Sequence, residues 1–413
     1  MVFTFGVVLF ALGIALSIAL HEFGHLLIAK AFGMKVRRYF IGFGPKVFSF
    51  RRGETEYGLK AIPAGGFCDI AGMTALDEIA PDEVDRAMYR QSAWKRIAVM
   101  MGGPITHFVL GIVLIYVLAV GFGLPNIGAP TTAVVGAATC AQPTQNGPTG
   151  DPRTSYALPD CAPGDPSPAE AAGLRNGDVI TAVNGAATAT FADVVAKTRA
   201  LTGTAAFTLE RDGQSRVVPV EIAQVQRYVS VPGGPPREAT VGAIGVEAAQ
   251  FRPTQYNAAS AVGGSVAFTG RMFAQTFSSL LSFPQKIPAV VKAIGGGQRG
   301  TDTPISVVGA SRIGGEVAQN GYWNIFILLL AGLNLFIGVF NLLPLLPLDG
   351  GHMAVTAYEK VRNLFRVRRG RPVGAPVDYT KLLPLTYVVV LLGGGVTVLT
   401  IIADIVNPVQ LFQ

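Results

Sequence analysis

The stretch SIALHEFGHLLIAK, residues 17–30, places two histidines and a glutamate within an otherwise apolar run. A charged side chain near the centre of a bilayer costs about 2.5–3.5 kcal/mol on insertion scales, so ionisable groups in such a run indicate a functional site. The surrounding apolar run, residues 2–29, exceeds the roughly 20 residues that a helix needs to cross a membrane. The stretch therefore predicts a membrane-spanning helix with a site inside it.

The composition extends this prediction to the whole chain. Half of the 413 residues are hydrophobic and 14% are charged, and the mean hydropathy of +0.43 is too high for a single soluble domain. The first run lacks a basic n-region and is too long for a signal peptide, so we expect it to be retained. Three further runs are long enough to span a bilayer: residues 97–124, 323–348 and 382–406. The fold class expected is therefore a polytopic α-helical membrane protein with about four transmembrane helices and a soluble insert.

Lysine and arginine set the expected orientation of these helices. They are concentrated in residues 30–96 and in KVRNLFRVRRGR, residues 360–371. Both segments should be cytoplasmic, which places residues 125–322 and both termini outside. The net charge of +7 is then explained by topology and by attraction to the lipid bilayer, and no nucleic-acid partner is predicted.

His21 and His25 are spaced so that they lie one turn apart on one helix face, with Glu22 beside them. This is the H-E-x-x-H spacing, in which two imidazoles bind zinc and the glutamate acts as general base on water. Gly24 allows another backbone or a substrate to come close. The alternative is a pair of histidines that only pack helices together, which is a costly use of polar groups inside a membrane.

Zinc needs a third protein ligand if a fourth position is to stay open for water. Asp404 lies near the expected external end of the last run, so we expect it to be an interfacial group. Asp349 is the better candidate because Pro344 and Pro347 interrupt the helix before it and free backbone groups that only a cavity or a ligand site tolerates. At about 1.5 Å per helical residue, Asp349 also lies at the same depth as His21.

Two motifs together resemble the site-2 proteases, which are intramembrane zinc metalloproteases. HEFGH at 21–25 matches the family's H-E-x-G-H, and NLLPLLPLDGG at 341–351 matches its N-x-x-P-x-x-P-x-D-G. The resemblance covers essentially the whole chain, and actinobacterial members with a single PDZ domain are the most similar. It implies that His21, His25 and Asp349 bind one Zn²⁺, that Glu22 is the catalytic base, and that Asn341 contacts the substrate backbone or the tetrahedral intermediate.

Two more stretches agree with this family. Residues 41–67 read as short strands and resemble the family's membrane-associated β-hairpin on the cytoplasmic side, whose edge, with Gly65 and Gly66, would receive an unwound substrate as an added strand. GGPITH at 102–107 resembles the family's G-P-x-x-N with His107 in place of asparagine. Three interpretations of His107 stay open: a polar substitute that contacts the substrate or transition state, a reversible zinc contact, and a packing histidine.

His352 lies one turn after Asp349, so it is a candidate partner of that ligand. Cys140 and Cys161 both fall in the expected external segment, where a disulfide is favoured. The alternative is that both remain free thiols. Cys68 falls on the reducing side.

The external segment resembles a PDZ domain of bacterial proteases at SPAEAAGLRNGDVITAVNG, residues 167–185. PDZ domains bind a peptide or its C-terminus by strand addition, and the alternative is a domain that only filters substrates by size. Apolar residues between 262 and 281 recur at helical spacing. This predicts an amphipathic helix that lies on the outer membrane face, clamps the PDZ domain or belongs to a soluble core.

The resemblance implies an intramembrane zinc endopeptidase in a bacterial plasma membrane. Its substrates would be single-pass transmembrane proteins already shortened by a first protease, such as anti-sigma factors, in transmembrane signalling; remnant signal peptides are another class. Two alternatives are a silent scaffold that displays a PDZ module, which would not need Glu22, and a metal transporter, which would need a polar path through the membrane.

The boundaries expected from the sequence follow from these assignments. They are a first transmembrane helix with HEFGH (1–31), a cytoplasmic-side loop with the β-hairpin (32–95), a second transmembrane helix (96–124), an extracytoplasmic α+β PDZ domain with a Pro/Gly-rich lead-in (125–250), extracytoplasmic amphipathic helices (251–321), a third transmembrane helix with NLLPLLPLDGG (322–358), a basic cytoplasmic loop (359–381), a fourth transmembrane helix (382–406) and a C-terminal tail (407–413).

Overall fold

The structure is a computed structural model, and it describes residues 1–73, 77–125, 133–147, 157–231, 234–249, 253–297, 299–300 and 303–409. Parts of the expected lead-in to the PDZ domain and residues 410–413 of the expected tail lie outside the described residues. The chain divides into two compact units. Unit 1 comprises residues 1–118 and 265–413, and unit 2 comprises residues 119–264.

The described residues form the following elements. The helices are α1 (Val2–Ala31), α2 (Ala93–Gly121), α3 (Pro168–Ala171), α4 (Phe191–Arg199), α5 (Ala258–Ile294), α6 (Val307–Gln319), α7 (Trp323–Asn341), α8 (Asp349–Arg368) and α9 (Leu383–Val406). The strands are β1 (Val36–Arg52), β2 (Thr55–Ile70), β3 (Val135–Ala138), β4 (Val179–Val183), β5 (Ala186–Ala187), β6 (Gly203–Arg211), β7 (Gln214–Val231), β8 (Gly234–Ala243) and β9 (Val246–Ala248).

Four of the described helices are long and apolar enough to cross a membrane: α1, α2, α7 and α9 with the short turn that precedes it. The expectation of about four membrane-spanning helices is therefore confirmed by length and composition. The third expected element differs, because residues 322–358 are not one helix: α7 ends at Asn341 and α8 begins at Asp349. Pro344 and Pro347 explain the break, since proline lacks the backbone donor that a helix interior needs.

Helix α6 packs directly against α1 within unit 1. A Cβ atom added at Gly314 would lie 2.6 Å from Phe10 Cγ, and one added at Gly6 would lie 3.0 Å from Gly315 Cα. Small residues allow two helix backbones to approach this closely. The buried cluster around this contact includes Phe10, Ile14, Ile313, Val317 and Ala318. The apolar pattern predicted between 262 and 281 lies on α5, where Val262, Val266, Phe277 and Leu281 are exposed, whereas α6 packs on α1.

Asp404 is buried in an ion pair rather than placed at an interface with solvent. Its Oδ1 lies 2.6 Å from a guanidinium nitrogen of Arg299, and both side chains are 1% exposed. The backbone amide of Ser306 donates to its second oxygen at 2.7 Å. The expectation of an interfacial group is therefore wrong. Asp404 instead connects α9 to the segment between α5 and α6.

The β-hairpin of β1 and β2 folds back on itself. Residues 36–41 pair with residues 66–70 on one side and with residues 56–59 on the other. Gly53, at φ +62°, forms the tight turn between the strands, a conformation that glycine adopts at little cost. Among the described residues, 66–70 pair with β1 alone, so they form an edge of this sheet.

Unit 2 is built on a five-stranded antiparallel sheet in the order β5-β4-β6-β7-β8, with β3 and β9 forming a separate pair. Its core is formed by apolar side chains of both sheets and of α4, among them Ile180, Phe207, Val220 and Val194. A disulfide joins Cys140 to Cys161, whose Cα atoms are 5.9 Å apart. Cys68 of the hairpin is free.

Candidate metal centre and active site

Helix α1 presents its two histidines to one point. The helical rise brings residues four apart onto one face, and His21 Nε2 lies 3.2 Å from His25 Nε2. The two residues are 8% and 6% exposed. Helix α1 therefore supplies two converging imidazole nitrogens inside the apolar part of unit 1.

Asp349, the first residue of α8, meets this pair of histidines. Its Oδ2 lies 3.2 Å from His21 Nε2, and its Oδ1 lies 3.4 Å from His25 Nε2. Gly350 and Gly351 allow the start of α8 to reach this position, because a Cβ at either residue would collide with the backbone of residues 342–346. Glycine is therefore needed at both positions after the aspartate, because a larger residue would not fit against this backbone.

The three side chains fit a zinc ion. Their ligand atoms all lie within 4.8 Å of one another, and they form the one such group with at least three members among the described residues. Bonds of about 2.0–2.2 Å in a tetrahedral site place neighbouring ligand atoms roughly 3.3–3.5 Å apart, which matches the distances between these three side chains.

The hydrogen bonds of the group also agree with metal binding. His25 Nδ1 donates to the carbonyl of Val99 at 2.8 Å, which leaves the lone pair on Nε2, and ligating histidines are usually held in this way. Asp349 Oδ2 is buried and has no hydrogen-bond donor among the described residues. Buried polar atoms are rarely left unpaired, so a cation is the natural partner for this oxygen.

Helix α2 forms a wall of the site with its backbone. A Cβ at Gly24 would overlap the carbonyl of Gly102, so α1 and α2 are in backbone contact there. A Cβ at Gly103 would lie 2.5 Å from His25 Nε2 and 2.6 Å from His21 Nε2. The absence of a side chain at Gly103 therefore leaves the space that the imidazole nitrogens of His21 and His25 occupy.

Glu22 faces the hairpin beside the metal-binding group. A Cβ at Gly66 would lie 3.1 Å from Glu22 Cγ and 3.0 Å from the carbonyl of Phe40. Gly65, at φ +119°, is packed against the ring of Phe43. The structure thus brings the sheet edge at Gly66 next to the carboxylate.

His107 lies beside the group without belonging to it. It is 1% exposed, and its ring centroid is 5.1 Å from that of His21. Its Nδ1 lies 2.9 Å from Asn334 Oδ1, and the Asn334 amide donates to the carbonyl of Leu330 at 2.8 Å. Because the amide oxygen of Asn334 can only accept, His107 donates this hydrogen bond from Nδ1.

Two other predicted residues have different partners. His352 Nδ1 lies 3.3 Å from the hydroxyl of Tyr379, and the two rings are stacked. The Asn341 amide donates to the carbonyl of Ile337 in its own helix at 3.1 Å. Among the described residues, no hydrogen bond joins Asn341 or His352 to the three candidate ligands.

Asn334 and Gly103 also belong to the surroundings of the site and were not predicted from the sequence. Asn334 is a polar residue in the middle of an apolar span and is seven residues before Asn341, which was a usable signal because such residues in membranes mark sites. Gly103 lies in the GGP sequence, but sequence alone does not show which side chains face a glycine.

Comparisons with known proteins agree with this geometry. Residues 9–385 match the model of peptidase family M50. The chain is 50% identical to zinc metalloprotease Rip1 of Mycobacterium bovis over 415 residues, which cover all of both chains. It is 49% identical to Rip1 of Mycobacterium tuberculosis and to Rip1 of Mycolicibacterium smegmatis, again over the full length of each.

These matches confirm the family, the enzyme class and the zinc cofactor expected from the sequence. The relatives share the whole length of the chain, so both units belong to the common protein. A silent scaffold and a metal transporter are thereby set aside. The chain belongs to peptidase family M50, the site-2 zinc metalloproteases.

Proposed function

We propose that the protein is an intramembrane endopeptidase that hydrolyses a peptide bond in or beside the transmembrane helix of a single-pass substrate. The observation that carries this proposal is the convergence of His21, His25 and Asp349. The two histidines and Glu22 lie on α1, a helix long enough to cross a membrane. A hydrolytic site inside the membrane is reached by membrane-embedded substrates and not by soluble ones.

In this proposal His21, His25 and Asp349 hold the zinc ion. Zinc, when bound, would act as a Lewis acid that polarises the scissile carbonyl and lowers the pKa of water, so that water gives up a proton as it attacks. The Glu22 carboxylate takes the proton of the attacking water on one of its oxygens and delivers it to the leaving amide nitrogen. The hydrogen bond that His25 Nδ1 donates to the Val99 carbonyl holds that imidazole in its metal-binding tautomer.

The substrate would be held at the edge of the hairpin. A transmembrane helix must be unwound before a protease can cut it, because helical backbone bonds protect its carbonyls. Residues 66–70 form a sheet edge that reaches Glu22 at Gly66, and such an edge can accept an extended peptide as an added strand. Asn341 and His107 are the further residues that we assign to substrate or transition-state contact.

Unit 2 is, in this proposal, an extracytoplasmic PDZ domain. Support comes from its antiparallel sheet with two helices and from the disulfide between Cys140 and Cys161, since disulfides persist in oxidising compartments. The segments rich in lysine and arginine lie in unit 1, which favours a cytoplasmic position for the hairpin side. The domain binds a peptide or substrate C-terminus, or it restricts access by size.

The biological substrates that fit this activity are membrane-bound anti-sigma factors or similar single-pass proteins, cut after a first protease has removed the ectodomain. Release of the cytoplasmic part would then carry a signal from the plasma membrane. Remnant signal peptides also present a single membrane-embedded helix and are the second class of substrate.

The test compares wild type with Glu22→Gln in detergent-purified full-length protein. We expect Glu22→Gln to keep one zinc per chain while cleavage of a model transmembrane peptide falls by about 10²–10⁴-fold, the usual contribution of a general base. His21→Ala, His25→Ala and Asp349→Ala should lose both zinc and cleavage.

The matched control is Glu210→Gln, which makes the same change at an exposed position of β6 in unit 2 and should alter neither quantity. Robust proteolysis by Glu22→Gln, or full zinc retention by all three ligand variants, would contradict the proposal.

A further inference from the structure

The second half of α8 exposes apolar side chains beside arginines. Tyr358, Val361 and Phe365 are 51–59% exposed, and their helical spacing places them on one face. A shallow depression runs along this face, and the rest of its lining consists of four arginines: Arg362, Arg366, Arg369 and Arg371. We call these seven residues the α8 patch. An exposed face of this kind indicates a contact surface.

The positive charges of the α8 patch have no acidic partner within the chain. Among the described residues, no ion pair involves any of its four arginines. The hydrogen bonds that Arg362 and Arg366 donate go to backbone carbonyls and to an asparagine oxygen, which carry no net charge. Glu359, one turn before them on α8, is already paired with Arg96. The α8 patch therefore offers its charge to an anionic partner.

Contacts within unit 1 place the α8 patch at one end of the apolar helices. The ring of Phe32, which follows α1, lies 5.1 Å from that of Trp94 in the first turn of α2, so α1 ends where α2 begins. Arg96, in the same turn of α2, lies 2.7 Å from Glu359 of α8, and both side chains are at most 12% exposed. Phe365 is six residues further along α8, about 9 Å at 1.5 Å per residue. The patch therefore begins at the level where two apolar helices meet their ends.

This level is where the headgroups of a bilayer are expected. A bilayer of about 40–45 Å has a hydrocarbon core of about 30 Å, which leaves roughly 5–8 Å of headgroups on each side. A helix with apolar side chains on one face and basic ones beside them binds there, its apolar groups at the acyl boundary and its cations on anionic lipid. Arginine also matches phosphate through paired hydrogen bonds. Both the composition and the level of the α8 patch favour lipid over an acidic protein.

We propose that the α8 patch binds the headgroups of anionic phospholipids. Its arginines hold the lipid phosphates, and its three apolar side chains lie at the boundary with the acyl chains. This inference goes beyond the proposed function, because lipid binding at α8 requires no proteolysis.

The test follows lipid binding with a dye placed beside the patch. Cys68→Ser with Val373→Cys leaves one reactive thiol, because the other two of the three cysteines form the disulfide of unit 2. Val373 is 65% exposed and lies two residues after Arg371. The full-length protein carries an environment-sensitive dye on this thiol and is titrated, in neutral detergent micelles, with phosphatidylglycerol or with phosphatidylcholine.

Phosphatidylglycerol should reach half-saturation at a concentration at least about tenfold below that of phosphatidylcholine. Each basic residue near an anionic surface contributes roughly fivefold to binding. Arg369→Gln with Arg371→Gln should therefore raise the half-saturating concentration of phosphatidylglycerol about 25-fold. Phe365→Ser, which keeps every charge, should raise it severalfold for both lipids because an apolar anchor is lost.

The matched control is Arg199→Gln with Arg216→Gln. It removes the same charge from two exposed positions of unit 2 and should leave binding of phosphatidylglycerol unchanged. Circular dichroism checks that every variant is folded.

Three results would overturn the inference: equal binding of the two lipids, wild-type binding of phosphatidylglycerol in both folded patch variants, or the same dye response to inorganic phosphate or an acidic peptide at equal concentration. The last result would assign the patch to a soluble anion or to a protein partner. Cleavage of the model transmembrane peptide enters none of these measurements, so failure of the proposed function leaves their outcome unaffected.

Discussion

His107 and Asn334 are joined side chain to side chain, with 2.9 Å between Nδ1 and Oδ1. This hydrogen bond connects α2 to α7 at two residues that are each 1% exposed. It fixes which ring nitrogen of His107 carries the proton and leaves Nε2 as an acceptor. A hydrogen bond from His107 to a substrate carbonyl would therefore require a second proton on the ring.

The first prediction concerns this pair. His107→Ala leaves the Asn334 oxygen buried without its donor, so we expect the free energy of unfolding to fall by about 1–3 kcal/mol while one zinc per chain remains. Denaturation curves and metal analysis of His107→Ala, His107→Asn and Asn334→Leu measure these quantities.

The same variants decide among the three interpretations of His107. If His107 contacts the substrate, His107→Asn stays substantially active and His107→Ala loses turnover beyond the loss of folded protein. A packing histidine leaves turnover per folded molecule unchanged. Weaker zinc binding and higher activity in both variants would indicate a metal contact and contradict the prediction.

The second prediction concerns Gly103. Gly103→Ala places a methyl group within 2.6 Å of nitrogens of both His21 and His25, so it should displace the ligands and reduce zinc occupancy under limiting metal. Gly394→Ala is the matched control, because that helical glycine has open space around it and alanine gains about 1 kcal/mol of helix propensity. Equal zinc titration curves for the two variants would show that the wall at Gly103 does not shape the site.

The third prediction concerns the disulfide of unit 2. Cys140 and Cys161 are 21 residues apart, and in the chain-entropy model a bridge over such a loop contributes about 3 kcal/mol. Cys140→Ser with Cys161→Ser should destabilise unit 2 by about that amount in denaturation curves, whereas Cys68→Ser in the hairpin should not. Alkylation of both the Cys140 and the Cys161 thiol without reductant would show that no bridge forms.

The fourth prediction concerns pH and the pair of Asp178 and Arg211 in unit 2. Burial raises the pKa of Asp178, but the hydrogen bonds from Arg211 and from the Arg175 amide, together with the charges of both arginines, lower it more in sum, so the net pKa lies below its ordinary value. The folded state therefore favours the ionised form, and the stabilisation is present above about pH 4 and is lost as the pH falls through the folded pKa.

Asp178→Asn should accordingly destabilise unit 2 at pH 7, and the difference from wild type should shrink at pH 3. Hydrogen exchange of the β4 and β6 amides, corrected for intrinsic rates, measures this. Asp212→Asn is the control, because Asp212 is exposed and has a positive φ that asparagine also tolerates. A constant difference between Asp178→Asn and wild type across this pH range would contradict the assignment.

Local sequence information was sufficient for much of the metal centre. The i, i+4 spacing of His21 and His25 fixes their common face on any helix, and the prolines before Asp349 marked a break in an apolar run. These features depend on a few neighbouring residues. The convergence of α1 with α8 could be expected only because both segments carry costly polar groups at one membrane depth.

Other features depend on contacts between distant segments, which periodicity does not specify. Nothing in the sequence of α6 shows that Gly314 would meet Phe10 of α1. The burial of Asp404 depends on Arg299, which lies over 100 residues away in the chain. The arginines after residue 360 are visible in the sequence, and only the folded unit 1 shows that three apolar side chains of the α8 patch share an exposed face with them.

The position of Asp349 has a consequence for biosynthesis. His21 and His25 leave the ribosome well before Asp349, because more than 300 residues separate them in the chain. A complete set of three ligands cannot exist until α8 has been synthesised and has reached α1. Under the proposed ligand assignment, a nascent or truncated chain that still lacks α8 carries the histidines and the glutamate but has no complete protease site, so activity begins only once α8 has been made.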